Sequence, residues 1–188
     1  MKFNNKGYSM VELFAVIFIA SAIIFPMMTT LVNNFEINDR IQNRRSSTSI
    51  AQGTLEGFGR FNFGDVEALV IASNLSNTYY VEFDSTNCTQ LTDTVDINLC
   101  NLLFASTNNN LTLTDTTFQV YLFNYNLTST MKSSLLSNPN VPSKIKEEIT
   151  LMTPTVTPNP SLYYIYVWIE YDDATSSVVM LGGLLAND

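Results

Sequence analysis

The sequence contains no histidine. That removes the commonest general base, the commonest zinc ligand and the usual partner of a serine or cysteine nucleophile. Basic residues are scarce in most of the chain. Between Asp65 and Asp188 the only ones are Lys132, Lys144 and Lys146, against thirteen acidic residues. With a net charge of −8, such a surface repels phosphate backbones, so direct nucleic-acid binding is not expected. No EF-hand spacing is present, and Asp93, Asp96, Asp172 and Asp173 read as solvated acidic turns rather than metal ligands. Glu147 and Glu148 are adjacent, so a helix separates them, and with Lys144 and Lys146 they read as a solvated group. No catalytic residue, metal site or cofactor is expected, and there is no internal repeat.

Cysteine is also sparse. Cys88 and Cys100 are the only two. They form a disulfide if that part of the chain lies outside the cytoplasm, and two free thiols otherwise. On the chain-entropy estimate the bridge would contribute about 3 kcal/mol.

The charged fraction is low, at 14% of residues against 46% apolar. The cause is local. From Leu13 to Val32 there is no charged residue. As a helix rising about 1.5 Å per residue, this segment is long enough to cross a hydrocarbon core. Lys2 and Lys6 favour a cytoplasmic N-terminus. Arg40, Arg44 and Arg45 on the far side argue the other way but mix with Glu36 and Asp39. The expectation is N-terminus in, C-terminal domain out. The apolar run exceeds the usual length in a secretory signal peptide, and no small-x-small cleavage site follows it.

Two residues at the start of the run need an explanation. Glu12 places a carboxylate at the membrane edge, and no cation lies within Leu13–Val32 to pair with it. Gly7 stands immediately before the run. A cut after Gly7 would give Tyr8 a cationic α-amine four residues before Glu12, on the same helical face. A neighbouring chain shifted by about one turn could then pair its amine with that carboxylate.

The stretch Lys6-Gly7-Tyr8-Ser9-Met10-Val11-Glu12-Leu13, followed by the apolar Phe14–Ile24, resembles the prepilin cleavage and methylation signal. That signal is shared by type IV pilins, type II secretion pseudopilins and competence pilins. The resemblance covers roughly the first thirty residues, with Tyr8 where Phe or Met is more usual. It implies that a membrane aspartyl peptidase cuts between Gly7 and Tyr8 and then N-methylates Tyr8. It implies that Glu12 serves in subunit docking. The implied partners are other pilin subunits in a helical filament, the prepilin peptidase/methyltransferase and an inner-membrane assembly platform. A minor pilin or pseudopilin is the expected class. The rival reading is a signal-anchored extracytoplasmic binding domain that keeps Met1–Gly7 and never polymerises.

The domain expectation is a leader over 1–7, a transmembrane helix over 8–32, its amphipathic continuation over 33–60 and a globular β-rich domain over 61–188. Pro26 should kink or locally open the helix. Phe35, Ile41, Thr48, Ala51, Leu55 and Phe58 mark the apolar face of the continuation, which should end between Gly57 and Phe61. Beyond it, strands are expected at Tyr79–Phe83 and Thr117–Leu127. Cys88–Cys100 and Ser106–Asn110 read as loops. Lys144–Leu151 reads as a helix capped by Ser143. Pro154, Pro158 and Pro160 make a stiff connector. Leu162–Tyr171, a turn at Asp172–Ser177 and Val178–Leu185 read as a closing hairpin. One face of Leu162–Tyr171 is core. The other, with Tyr164, Tyr166 and Trp168, needs cover from a helix or from a neighbouring chain. The fold class is therefore α+β: a long N-terminal helix packed on a C-terminal antiparallel sheet, pilin-like.

Overall fold

The structure, a computed structural model, describes residues 10–110, 117–158, 161–171 and 177–186. A helix, α1, runs Met10–Phe58. The chain divides into two units, one ending at Asn43 and one starting at Arg44. In the first unit α1 is the whole of the described structure. Helix propensity in this stretch is supported by Ala, Leu, Met and Ile, and Pro26 sits inside it without ending it.

The second unit is an α+β domain. After the last turns of α1 come α2 (Phe63–Leu75), β1 (Val81–Phe83), a single 3-10 turn (Cys88–Gln90) and α3 (Thr94–Asn110). Then follow β2 (Thr117–Asn124), α4 (Ser129–Ser137), α5 (Ser143–Leu151), β3 (Leu162–Tyr171) and β4 (Ser177–Ala186). The four strands make one antiparallel sheet in the order β1-β2-β3-β4.

Both faces of this sheet are covered by helices of the same chain. On one face Phe83, Val120, Leu122, Ile165, Val167 and Ile169 meet Ala51 and Phe58 of α1, Val66 and Val70 of α2, and Phe104 of α3. On the other face Tyr121, Phe123, Tyr166 and Trp168 meet Met131 and Leu135 of α4 and Ile145 and Ile149 of α5. The apolar pairs on α4 and α5 are four residues apart, which sets one stripe of each short helix on the sheet. Lys132 on α4 ties the pair together: its Nζ donates to the carbonyls of Thr150 (2.8 Å) and Met152 (2.6 Å) at the end of α5. A cation there also suits the negative end of the helix dipole.

Several expectations change. Among the described residues the region from 61 on holds four α-helices besides its strands, so β-rich is too simple a description of it. Ser106–Asn110 is the last turn of α3, not a loop, and α3 also takes up the second half of the Cys88–Cys100 segment. The tertiary contacts of Cys100 and Phe104 outweigh the weak helix propensity of Asn, Ser and Thr. The first strand begins at Val81, because Tyr79 has φ 62° and cannot join it. The second strand ends at Asn124. Ser143 lies within α5, and the N-cap is Pro142, which makes no side-chain cap. Phe35 and Ile41 are exposed, so the apolar face of α1 is buried only from Ser47 onward. The turn residues 172–176 and Pro160 lie outside the described residues.

One of the two glycines in β4 admits a close contact. A Cβ on Gly182 would lie 2.8 Å from the Tyr166 ring, its partner across the β3–β4 pair. A Cβ on Gly183 would meet Ile165 and Leu55 at 3.4–3.5 Å, an ordinary contact. The first position accepts no side chain without moving a buried aromatic ring.

Candidate functional site

The candidate site is the N-terminal stretch of α1. Glu12 sits in its first turn, where the helix dipole favours a carboxylate. Gly7 and Tyr8 lie outside the described residues. Between Met10 and Val32 fifteen large apolar side chains are each more than half exposed. This is the one described helix long and apolar enough to cross a membrane. A soluble monomer rarely leaves so large a contiguous apolar surface open to water. Each such side chain gains about 1.5–3 kcal/mol on leaving water. The stretch therefore demands a cover of lipid or protein.

Pro26 interrupts the backbone bonding of this segment by removing one N–H donor. Two threonines fold back on the same turn. Thr29 Oγ1 donates to the carbonyls of Pro26 (2.9 Å) and Phe25 (3.0 Å), and Thr30 Oγ1 donates to Pro26 O at 2.8 Å. Such side-chain bonds satisfy hydroxyls that no water would reach in a hydrocarbon core.

Cys88 and Cys100 form a disulfide, with their Cα atoms 5.7 Å apart. It ties the 3-10 turn to the middle of α3, and both residues are buried in the main core.

Beside the disulfide is an arrangement that the sequence did not disclose. Asp65 in the first turn of α2 reaches the entry of α3. Its carboxylate accepts from Thr92 N (2.9 Å), Asp93 N (2.6 Å) and the Thr92 hydroxyl (2.5 Å). In return Asp96, in the first turn of α3, accepts from Asn62 N, the N-cap of α2, at 2.9 Å. Each helix start is thus completed by a carboxylate from the other. The Thr92 hydroxyl and the Asp93 N–H hold the Asp65 carboxyl below its ordinary range. Burial pushes Asp96 up, with the charges of Asp93 and Asp65 adding to it. Asp96 is only 3% exposed, so it is a buried structural group and not the solvated acid expected. The only sequence signal was an acidic residue in the first turn of each helix, which needs the helices to be recognised first.

Among the described residues no group of three or more His, Cys, Asp or Glu side chains is placed to hold a metal ion. Glu147 and Glu148 are exposed on α5. The chemistry available is thus apolar contact, a carboxylate at the start of an apolar helix and a stapled domain. No family model, curated protein sequence or solved structure matches the chain.

Proposed function

We propose that the chain is a type IV pilin-like structural subunit, of the minor pilin or pseudopilin kind. It is held in a membrane by the first part of α1, with its N-terminus cytoplasmic and its domain outside. A prepilin peptidase removes residues 1–7 and methylates Tyr8. An assembly platform in the inner membrane then draws the chain into a helical filament with other pilin subunits, at the cell surface or across the envelope.

The observation that carries this reading is the uncovered apolar length of α1 beginning at Glu12. Lipid covers it before assembly. Packed copies of such helices would cover it in a filament core, where van der Waals fit replaces lipid contact. Glu12 would set the axial register by pairing with the Tyr8 amine of an adjacent subunit. The disulfide fits a domain outside the reducing cytoplasm.

The test is mass spectrometry of the N-terminal peptide, taken from the membrane or sheared-filament fraction of the native host. The expected result is a chain beginning at N-methylated Tyr8. A chain still beginning at Met1 while the host's prepilin peptidase is active would overturn the proposal and favour a signal-anchored domain.

A further inference from the structure

The four-stranded sheet has two outer edges, and the chain treats them differently. On the outer side of β1 the Asn87 side chain stands in for a strand. Its Nδ2 donates to Glu82 O (2.8 Å), and its Oδ1 accepts from Asp84 N (2.8 Å). With β1 only three residues long, that edge is blocked. At the other edge β4 is ten residues long. It carries no charge and no proline, and its register with β3 runs without a bulge. Charge, proline, bulges and shortness keep edges from pairing, and β4 has none of them. Among the described residues no strand pairs with its outer side. Leu184, at 55% exposed, is the one large apolar side chain on a described strand that is so open.

The hydrogen bonds also show which residues of β4 face outward. In an antiparallel strand the N–H and C=O of one residue point to the same side, and the side alternates along the chain. Glu82 and Asp84 bond outward to Asn87, so Val81 and Phe83 bond to β2. Their partners Leu122 and Val120 are thereby used, which turns Gln119, Tyr121 and Phe123 towards β3. Tyr125 N, donating to Leu162 O at 3.0 Å, continues the same alternation. Ile165, Val167 and Ile169 then bond Gly183, Leu181 and Val179. What remains outward is the backbone of Val178, Met180, Gly182, Leu184 and Ala186. This set is symmetric about Gly182.

We propose that β4 pairs with β4 of a second copy of this chain, antiparallel, about a two-fold axis at Gly182. Gly182 then lies opposite Gly182 of the second copy, Met180 opposite Leu184 and Val178 opposite Ala186. Every outward N–H and C=O of the five residues finds a partner. An axis at Leu181 would instead carry Ala186 past the start of the other copy's β4. Each exposed Leu184 is covered by Met180 of the other copy on the same face. The chain carries a net charge of −8, so two copies repel each other over most of their surfaces, and an uncharged strand is where they can meet. The blocked edge at β1 stops further growth of the sheet, so the pair closes. The last turns of α1 lie on this sheet, and the axis reverses their direction in the second copy. The pair therefore joins chains held in separate membranes or filaments, and it stands whether or not residues 1–7 are removed.

The test is sedimentation equilibrium of the full chain in density-matched nonionic detergent. A dimer is expected for the wild type. Leu184→Lys puts a charge on the shared edge and should raise the dimer dissociation constant about tenfold or more. Leu151→Lys, at an exposed position at the end of α5, should leave it unchanged. Hydrogen exchange on the wild type reads the register. The amides of Val178, Met180, Gly182, Leu184 and Ala186 should exchange slowly in the dimer and fast on dilution, while those of Val179, Leu181 and Gly183 stay slow at both concentrations. Three results would overturn the proposal: a monomer at the highest concentration reached, a dimer that folded Leu184→Lys leaves intact (association through α1), or outward amides indifferent to dilution. Circular dichroism shows whether Leu184→Lys is folded. If it is not, Ala186→Lys, at the exposed end of β4, carries the same test.

Discussion

Asp65 shows how one side chain in a small domain serves two elements. It belongs to α2 by sequence and to the entry of α3 by its hydrogen bonds. Its folded-state carboxyl lies below the ordinary value of 3.8. Its contribution is therefore complete above that value and is lost as the pH falls through the lowered one. Asp96 and Glu82, both raised, act in the opposite sense, because their protonated forms are favoured by the fold. Comparison with Asp65→Asn isolates the first effect. The thermal midpoint of the wild type should exceed that of the variant at neutral pH, and the gap should close as the pH drops below 3.8. A gap independent of pH would contradict the assignment. At this scale the sequence said little. Asp96 read as a solvated acid, because burial and a partner thirty-four residues away leave no local mark.

Among the elements, the closing hairpin was the most legible. Leu162–Tyr171 carries Tyr, Ile, Val and Trp on both faces, and its bounds as β3 are those the pattern suggested. Two-sided apolarity meant cover on both faces. That α4 and α5 supply the second cover was not readable, because two nine-residue helices carry only two buried residues each. Helix α3 was missed for a different reason: its Asn, Ser and Thr content favours turns, and tertiary contacts decide. Gly182 in β4 has a packing role. Gly182→Ala should destabilise the protein by about 1–3 kcal/mol, through the displaced Tyr166 ring. Denaturant unfolding measures this directly. The disulfide belongs to this scale as well. Replacing both Cys88 and Cys100 by Ala should cost about 3 kcal/mol, visible as a lower unfolding midpoint insensitive to added reductant.

For the whole molecule, the second unit has its own core, and the described part of the first is the apolar start of α1. The structure places the division between its two units at Asn43, inside the amphipathic stretch. The buried face of α1 lies within the second unit, from Ser47 onward. The proposed prepilin-type signal, by contrast, would be read by enzymes and neighbouring chains, so it rests on the resemblance in sequence alone. The matching experiment is at the level of assembly. Glu12→Ala should leave the protein folded and in the membrane fraction while sheared filaments lose it, as measured by immunoblotting of the two fractions. Normal recovery of the variant in filaments would remove the docking role from Glu12.

The exchange of carboxylates between α2 and α3 has a further consequence. Each helix start has a side-chain cap of its own, Asn62 for α2 and Asp93 for α3, but the backbone N–H groups just ahead of it are bonded to the other helix, and the bridge at Cys100 holds α3 to the turn that precedes it. The two helices should therefore open together or not at all. Residues 62–100 should then open as one cooperative block, so that the loss of either acid is felt in both helices.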